Sequence, residues 1–379
     1  MDAEMASWKS TVTYVDEVPP PGANIVSGMW IFRGVDYFQT FSPTPKMTTL
    51  WVLLHVASQH DYELHSLDFS TAFLQGRLHE EIWLCRPPGF TGSFPPGTQW
   101  SLRRPVYGLR QAPREWHDTL RTTLAALGFA PSTADPSLFL RTDTSLPPFY
   151  ILVYVDDLVF ATADTAGLAH VKSELQKRHT CTDLGELRSY LGLQITRDRA
   201  QRTITLTQSH MVQQVLQRFD FTYSSPQATP LSTRHSLSAL PSDESVESSG
   251  PYPELVGCHI SSCEAEIYAG AMAAQELRWL TYLLTDLGEQ PRSPPVLYVD
   301  NKAMLALCRE HRLEHRTKHI ALCYFLAREL QQRGQLRLAY VASQANTADI
   351  FTKALPPGDH LRFCTMLGLL PTWPHLLTS

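Results

Sequence analysis

From residue 149 to 161 the chain reads Phe-Tyr-Ile-Leu-Val-Tyr-Val-Asp-Asp-Leu-Val-Phe-Ala, two apolar runs separated only by Asp156 and Asp157. β-Branched and aromatic residues on both sides of a two-residue acidic tip predict a tight, buried hairpin. Upstream, the pattern predicts a helix over Met47 to Ser58 and a strand over Glu63 to Phe69 that ends at Asp68. A second helix is predicted over Pro113 to Leu127, closed by Gly128 at the position where a left-handed residue ends a helix. Helices follow from about Ala166 to Lys177 and over 207 to 219, where Met211, Val212, Val215, Leu216 and Phe219 recur every three to four residues.

From Ser224 to Gly250 the chain turns to Ser, Pro and Thr with few apolar anchors, which marks a domain boundary. Beyond it, helical and strand patterns alternate. Ile267, Ala271, Ala274, Leu280, Leu284 and Leu287 mark one helical face begun near Ser262 and closed by Gly288. Val296 to Val299 reads as a strand, Asn301 as an N-cap, Ala303 to Arg309 as a helix and Leu336 to Val341 as another strand. The turn-rich stretches 18 to 22 and 87 to 97 read as loops.

Length and composition set limits on this picture. A chain of 379 residues with 43% hydrophobic and 18% charged residues can bury two or three cores. The 27 prolines imply many turns. A formal net charge of -5 weighs against a protein that neutralises phosphate over its whole surface, although Arg309, Arg312, Arg316, Lys318, Arg328, Arg333 and Arg337 form a local basic stretch. Seven cysteines without a Cys-x-x-Cys pair argue against a disulfide framework and a structural zinc site. With an acidic start at Met1-Asp2-Ala3-Glu4-Met5 and no apolar stretch of membrane-spanning length, an intracellular, cytoplasmic protein without a membrane partner is expected.

Two like charges at the tip of so apolar a hairpin need a counter-charge, and hard oxygen ligands suit magnesium or manganese. The letters Tyr-Val-Asp-Asp alone fit a surface hairpin with an acidic turn equally well. Asp68 changes the balance. Two strand ends carrying three carboxylates provide what two-metal phosphoryl transfer needs.

The segments Leu67-Asp68-Phe69-Ser70-Thr71-Ala72-Phe73-Leu74-Gln75-Gly76, Glu80-Glu81-Ile82-Trp83 and Arg86-Pro87-Pro88-Gly89-Phe90 resemble the Ty1/copia-type reverse transcriptase of LTR retrotransposons. So do Tyr107-Gly108-Leu109-Arg110-Gln111-Ala112-Pro113-Arg114-Glu115-Trp116, Tyr154-Val155-Asp156-Asp157 and Tyr190-Leu191-Gly192-Leu193, in the family's order. The resemblance implies an α+β fold, a palm and fingers core followed by a truncated α/β RNase H-like domain. It implies metal-binding carboxylates at Asp68, Asp156 and Asp157, nucleotide-binding positions at Ala72, Phe73 and Gln111, and primer contacts at Tyr154, Leu191 and Gly192. Phe73 would be the steric gate against a ribose 2′-hydroxyl, and Gln111 an amide on the incoming nucleotide. Read alone, Phe73 fits a core position and Gln111 a cap for the helix at Pro113. The implied cofactor is Mg²⁺ or Mn²⁺. The implied partners are an RNA template, a DNA primer, dNTPs and an RNA/DNA hybrid.

A second group, Ser261-Ser262-Cys263-Glu264-Ala265-Glu266, Tyr298-Val299-Asp300-Asn301, Arg316-Thr317-Lys318-His319-Ile320 and Asn346-Thr347-Ala348-Asp349-Ile350-Phe351-Thr352-Lys353, resembles the RNase H domain of the same family. It implies metal-binding catalytic carboxylates at Glu264, Asp300 and Asp349. Taken singly, Glu264 also reads as a favourable first-turn charge and Asp349 as a cap. His311-Arg312-Leu313-Glu314-His315 fits a His-x-x-Glu-His zinc pattern, but no third ligand accompanies it. The expected organisation is a reverse transcriptase over 1–223, a connector over 224–256, an incomplete RNase H-like domain over 257–356 and a tail over 357–379.

The chain also departs from the family. At Arg33-Gly34 the basic fingers strands are absent, and between Cys258 and Ser261 the opening RNase H strands and their first aspartate are absent. No protease or integrase pattern precedes the polymerase segment. These omissions read as internal deletions or wrongly assigned introns, and a lost central strand is expected to leave an unpaired sheet edge in the RNase H half.

Overall fold

The fold is that of a computed structural model, which describes residues 12–23, 25–26, 42–85, 96–221, 224, 227–230, 262–309 and 321–369. Both junctions where family segments are absent, the His-x-x-Glu-His stretch and the motifs at Arg86 and Arg316 lie outside these residues. The chain divides into two compact units, Met1–Val212 with Tyr282–Glu289, and Gln213–Thr281 with Gln290–Ser379.

Unit 1 is built on a six-stranded antiparallel sheet in the order β10 (Cys181–Glu186), β3 (Glu63–Phe69), β9 (Asp157–Thr162), β8 (Phe149–Tyr154), β7 (Leu138–Arg141), β6 (Phe129–Pro131). Five of the six β8 residues and five of the six β9 residues are buried, which accounts for their unbroken apolar runs. The helices Ala112–Ala126 and Thr165–Arg178 bring Trp116, Leu120 and Leu124, and Leu168, Val171 and Leu175, into one core with Phe69, Ile151 and Phe160. The helix Met47–His60 lies against β9 and β13 (Thr203–Thr207). It stops where Asp61 turns left-handed at φ 55°.

Two smaller sheets flank this one. β1 (Tyr14–Glu17), β5 (Gln99–Leu102), β4 (Ile82–Leu84) and β2 (Ile25–Val26) form the first, over a core of Leu74, Trp100, Leu102 and Val106. β11 (Ser189–Tyr190), β12 (Leu193–Asp198) and β13 form the second. Leu191 and Gly192, at φ 48° and 80°, make the two-residue turn between β11 and β12. Both central residues at positive φ suit the right-handed twist of the strands they join.

In unit 2, β14 (Val296–Val299) pairs in parallel with β15 (Arg337–Tyr340). The core unites Ile267 and Ala274 with Met304 and Leu305 from the helix Lys302–Arg309, and with Ala327 and Leu330 from the helix Ala321–Gln332. Gly270 makes this packing possible, because a Cβ there would meet Met304 Cε at 2.1 Å. Tyr298 on β14 and Tyr340 on β15 are exposed, although parallel strands are ordinarily covered on both faces. No further strand joins this sheet among the described residues.

Candidate active site

Asp68 and Asp157 face each other in register on β3 and β9, and Asp156 occupies the turn beside them. The hairpin differs from the sequence expectation. Its two turn residues are Val155 and Asp156, and Asp157 is already in β9, paired with Tyr154. Val155 takes φ 55°, a left-handed conformation unfavourable for a β-branched side chain. Two hydrogen bonds hold it there: Trp116 Nε1 donates to Val155 O at 2.6 Å, and Phe69 N donates to Asp156 O at 2.8 Å. Phe69 and Trp116 meet edge to face, with centroids 4.9 Å apart, so the two donors brace each other.

The three carboxylates share one electrostatic environment. Burial, then the charges of Asp156 and Asp68, push Asp157 up to about 6. Burial first and Asp156 second raise Asp68 as well. Among the described residues none of the three makes an ion pair with Lys, Arg or His. Nor do any three His, Cys, Asp or Glu side chains in these residues stand close enough to hold a metal ion. Each of these charges disfavours the ionisation of its neighbours. Hard oxygen donors in mutual repulsion, without a basic partner, are a donor set that suits a divalent cation.

The neighbouring positions fall around this centre. Thr71, at φ 53°, turns the chain after β3 into a 3-10 helix over Ala72–Gln75. Ala72 is fully buried in the main core. Phe73 is half-buried, packs against two cores and meets Tyr107 with centroids 4.6 Å apart, so it is in part the core residue that its apolar character suggested. Gly76 closes that helix at a tight approach, where a Cβ would come within 3.1 Å of Phe73 O and 3.3 Å of Trp116 N.

Gln111 does not cap the helix that follows it. It is 2% exposed, its Nε2 donates to Glu80 Oε2 at 3.3 Å, and its Oε1 is buried without a partner among the described residues. Tyr190 was not singled out as a site residue by sequence. Its buried hydroxyl also lacks a partner among the described residues, and its pKa is raised by burial and then by the charge of Asp157. Nothing in a lone tyrosine before Leu191-Gly192 signals this, because the proximity arises from tertiary packing.

In unit 2, Asp300 follows β14 and accepts a hydrogen bond from Ser343 Oγ at 3.1 Å. Asn301 caps the next helix, accepting from Ala303 N at 2.9 Å and Met304 N at 3.1 Å, as its sequence position predicts. Asp349, in the 3-10 helix Thr347–Phe351, is buried and pairs with Lys353 Nζ at 2.8 Å. The side chain of Glu264 lies outside the described residues. The glutamate that the fold brings toward Asp300 and Asp349 is Glu266, whose pKa is raised by burial and then by Asp300, against the lowering pull of Lys353. The buried neighbour Ile267 was the signal that could have drawn attention to Glu266.

Residues 20–233, more than half of the chain, match the family described as reverse transcriptase (RNA-dependent DNA polymerase), and the chain belongs to that family. Along most of its length it is similar to Pol polyproteins of copia-type transposons. It is 28% identical over 480 positions to the retrovirus-related Pol polyprotein from transposon RE2 of Arabidopsis thaliana, covering 94% of this chain and 33% of that protein. With the corresponding polyprotein from transposon TNT 1-94 of Nicotiana tabacum it shares 25% identity over 435 positions, covering 88% of this chain and 33% of the relative. The chain therefore spans about a third of the length of these relatives. Both alignments are longer than the 379-residue chain, so the relatives carry internal segments without a counterpart here. Among solved structures, the foamy viral protease-reverse transcriptase in complex with dsDNA is 12% identical, with a TM-score of 0.34, over 97% of this chain and 79% of that one.

Proposed function

We propose that unit 1 catalyses template-directed DNA synthesis, in which a DNA primer 3′-hydroxyl attacks the α-phosphate of a dNTP on an RNA template and releases pyrophosphate. The observation that carries this reading is the in-register pair Asp68 and Asp157 with Asp156 beside it, three carboxylates at the end of a buried sheet without a basic partner among the described residues. Asp68, Asp156 and Asp157 would hold Mg²⁺ or Mn²⁺. When bound, the ions would activate the attacking hydroxyl and neutralise charge on the leaving oxygens. Phe73 would exclude a ribose 2′-hydroxyl, Gln111 Oε1 would find its missing donor on the incoming nucleotide, and Tyr154 with the Leu191-Gly192 turn would position the primer end.

A second reading, a remnant that retains the site but has lost the activity, is favoured by the internal segments missing relative to the transposon polyproteins. Primer extension on poly(rA)/oligo(dT) with Mg²⁺ or Mn²⁺ separates the two. The first reading expects extension that Asp156→Asn abolishes; no extension from folded, monodisperse protein establishes the second.

A further inference from the structure

The two acidic centres of this chain are neutralised differently. In unit 1 the three aspartates lack any ammonium or guanidinium partner among the described residues. In unit 2 the corresponding place is taken by a side chain of the protein itself. Lys353 Nζ lies 2.8 Å from Asp349 Oδ2 and donates a hydrogen bond to it, one helical turn further along the chain. Asp349 is almost fully buried, so this is its charge compensation. The side chain of Lys353 remains half exposed.

We propose that the Lys353 ammonium is the resident cation of the Glu266, Asp300 and Asp349 cluster, so that this cluster does not take up a divalent metal while Lys353 is in place.

Among the described residues, three acidic groups act on the ammonium. Asp349 bonds it directly, and the charges of Asp349, then Asp300, then Glu266 all act to raise its pKa. Ser343 Oγ occupies Oδ2 of Asp300. A divalent ion binding Asp349 would have to displace an ammonium that is already hydrogen-bonded to it. The two cations compete for the same oxygen atoms, and the tethered one has the higher local concentration. The inference concerns unit 2 and stands independently of whether unit 1 polymerises DNA.

The test is the number of Mn²⁺ ions bound per full-length chain, read from the depletion of the free Mn²⁺ signal in electron paramagnetic resonance. Wild type and Asp349→Asn are expected to bind the same number. Lys353→Met should bind one ion more, Lys353→Arg none more, and Lys353→Met combined with Asp349→Asn should lose the gain. Loss of one ion on Asp349→Asn in the wild-type background overturns the proposal. So does a Lys353→Met protein with a wild-type melting curve and no additional ion. Should Lys353→Met not fold, the comparison of wild type with Asp349→Asn decides by itself. The readout is metal stoichiometry, so an inactive polymerase unit would leave the result intact.

Discussion

At the residue scale, Asp157 carries the clearest consequence of the carboxylate arrangement. Its pKa is pushed from 3.8 to about 6 by burial and by two neighbouring aspartates. A carboxyl whose pKa is higher in the folded than in the unfolded chain binds its proton more tightly when folded. Its stabilising contribution is complete below about 3.8 and is lost as the pH rises through about 6. At neutral pH the ionised group therefore opposes folding. Asp157→Asn should melt higher than wild type at pH 7.5, by roughly 2–4 °C, and the gap should shrink as the pH is lowered toward 5. Added Mg²⁺ should narrow it by stabilising the wild type alone. Differential scanning calorimetry across this range checks the sign; a variant that melts below wild type at pH 7.5 would show that the carboxylate contributes a favourable contact.

At the element scale, the hairpin β8 to β9 is a strained device braced from below. Val155 in the left-handed region costs on the order of 1–3 kcal/mol, and the Trp116 indole bond to its carbonyl offsets part of that. Trp116→Phe keeps an aromatic ring against Phe69 but removes the donor. It should cost about 1–3 kcal/mol in denaturant unfolding, and polymerisation should suffer more than stability because the tip carries Asp156. Equal nucleotide incorporation by the two proteins would mean that the brace does not position the aspartates.

The same hairpin shows what was legible in the sequence. The apolar runs of β8 and β9 announced a buried strand pair, and the helix beginning at Met47 and the strand ending near Asp68 followed from similar patterns. The turn was misassigned by one residue because nothing in Val155 advertises a positive φ, which the Trp116 and Phe69 contacts impose. β1, β2, β4 and β5 were not foreseen, since strands of two to four residues are too short to show a period. The helix Ser209–Arg218 was foreseen, yet Met211, Val212, Val215, Leu216 and Phe219 are exposed, because amphipathic spacing specifies a face without supplying what covers it.

At the scale of the whole molecule, the chain is a reverse transcriptase family member whose copia-type relatives carry internal segments that it lacks. In unit 2, β14 and β15 form the only strand pair among the described residues, and Tyr298 and Tyr340 on it are exposed. We expect no metal-dependent cleavage of a labelled RNA/DNA hybrid by the full-length protein. Cutting that disappears in Asp300→Asn would contradict this. The net charge of -5 gives little general attraction for phosphate, so the proposed template binding would have to depend on local features of unit 1.

The central claim is that Asp68, Asp156 and Asp157 act together as one metal-holding unit for nucleotidyl transfer. The most direct measurement is single-turnover incorporation of one dTTP onto oligo(dT) annealed to poly(rA), with Mn²⁺, for wild type and for Asp68→Asn, Asp156→Asn and Asp157→Asn. Wild type should incorporate the nucleotide and each variant should lose at least about a thousandfold, with double variants no worse than single ones because the residues act as a unit. Incorporation that survives in any one of the three single variants would contradict it.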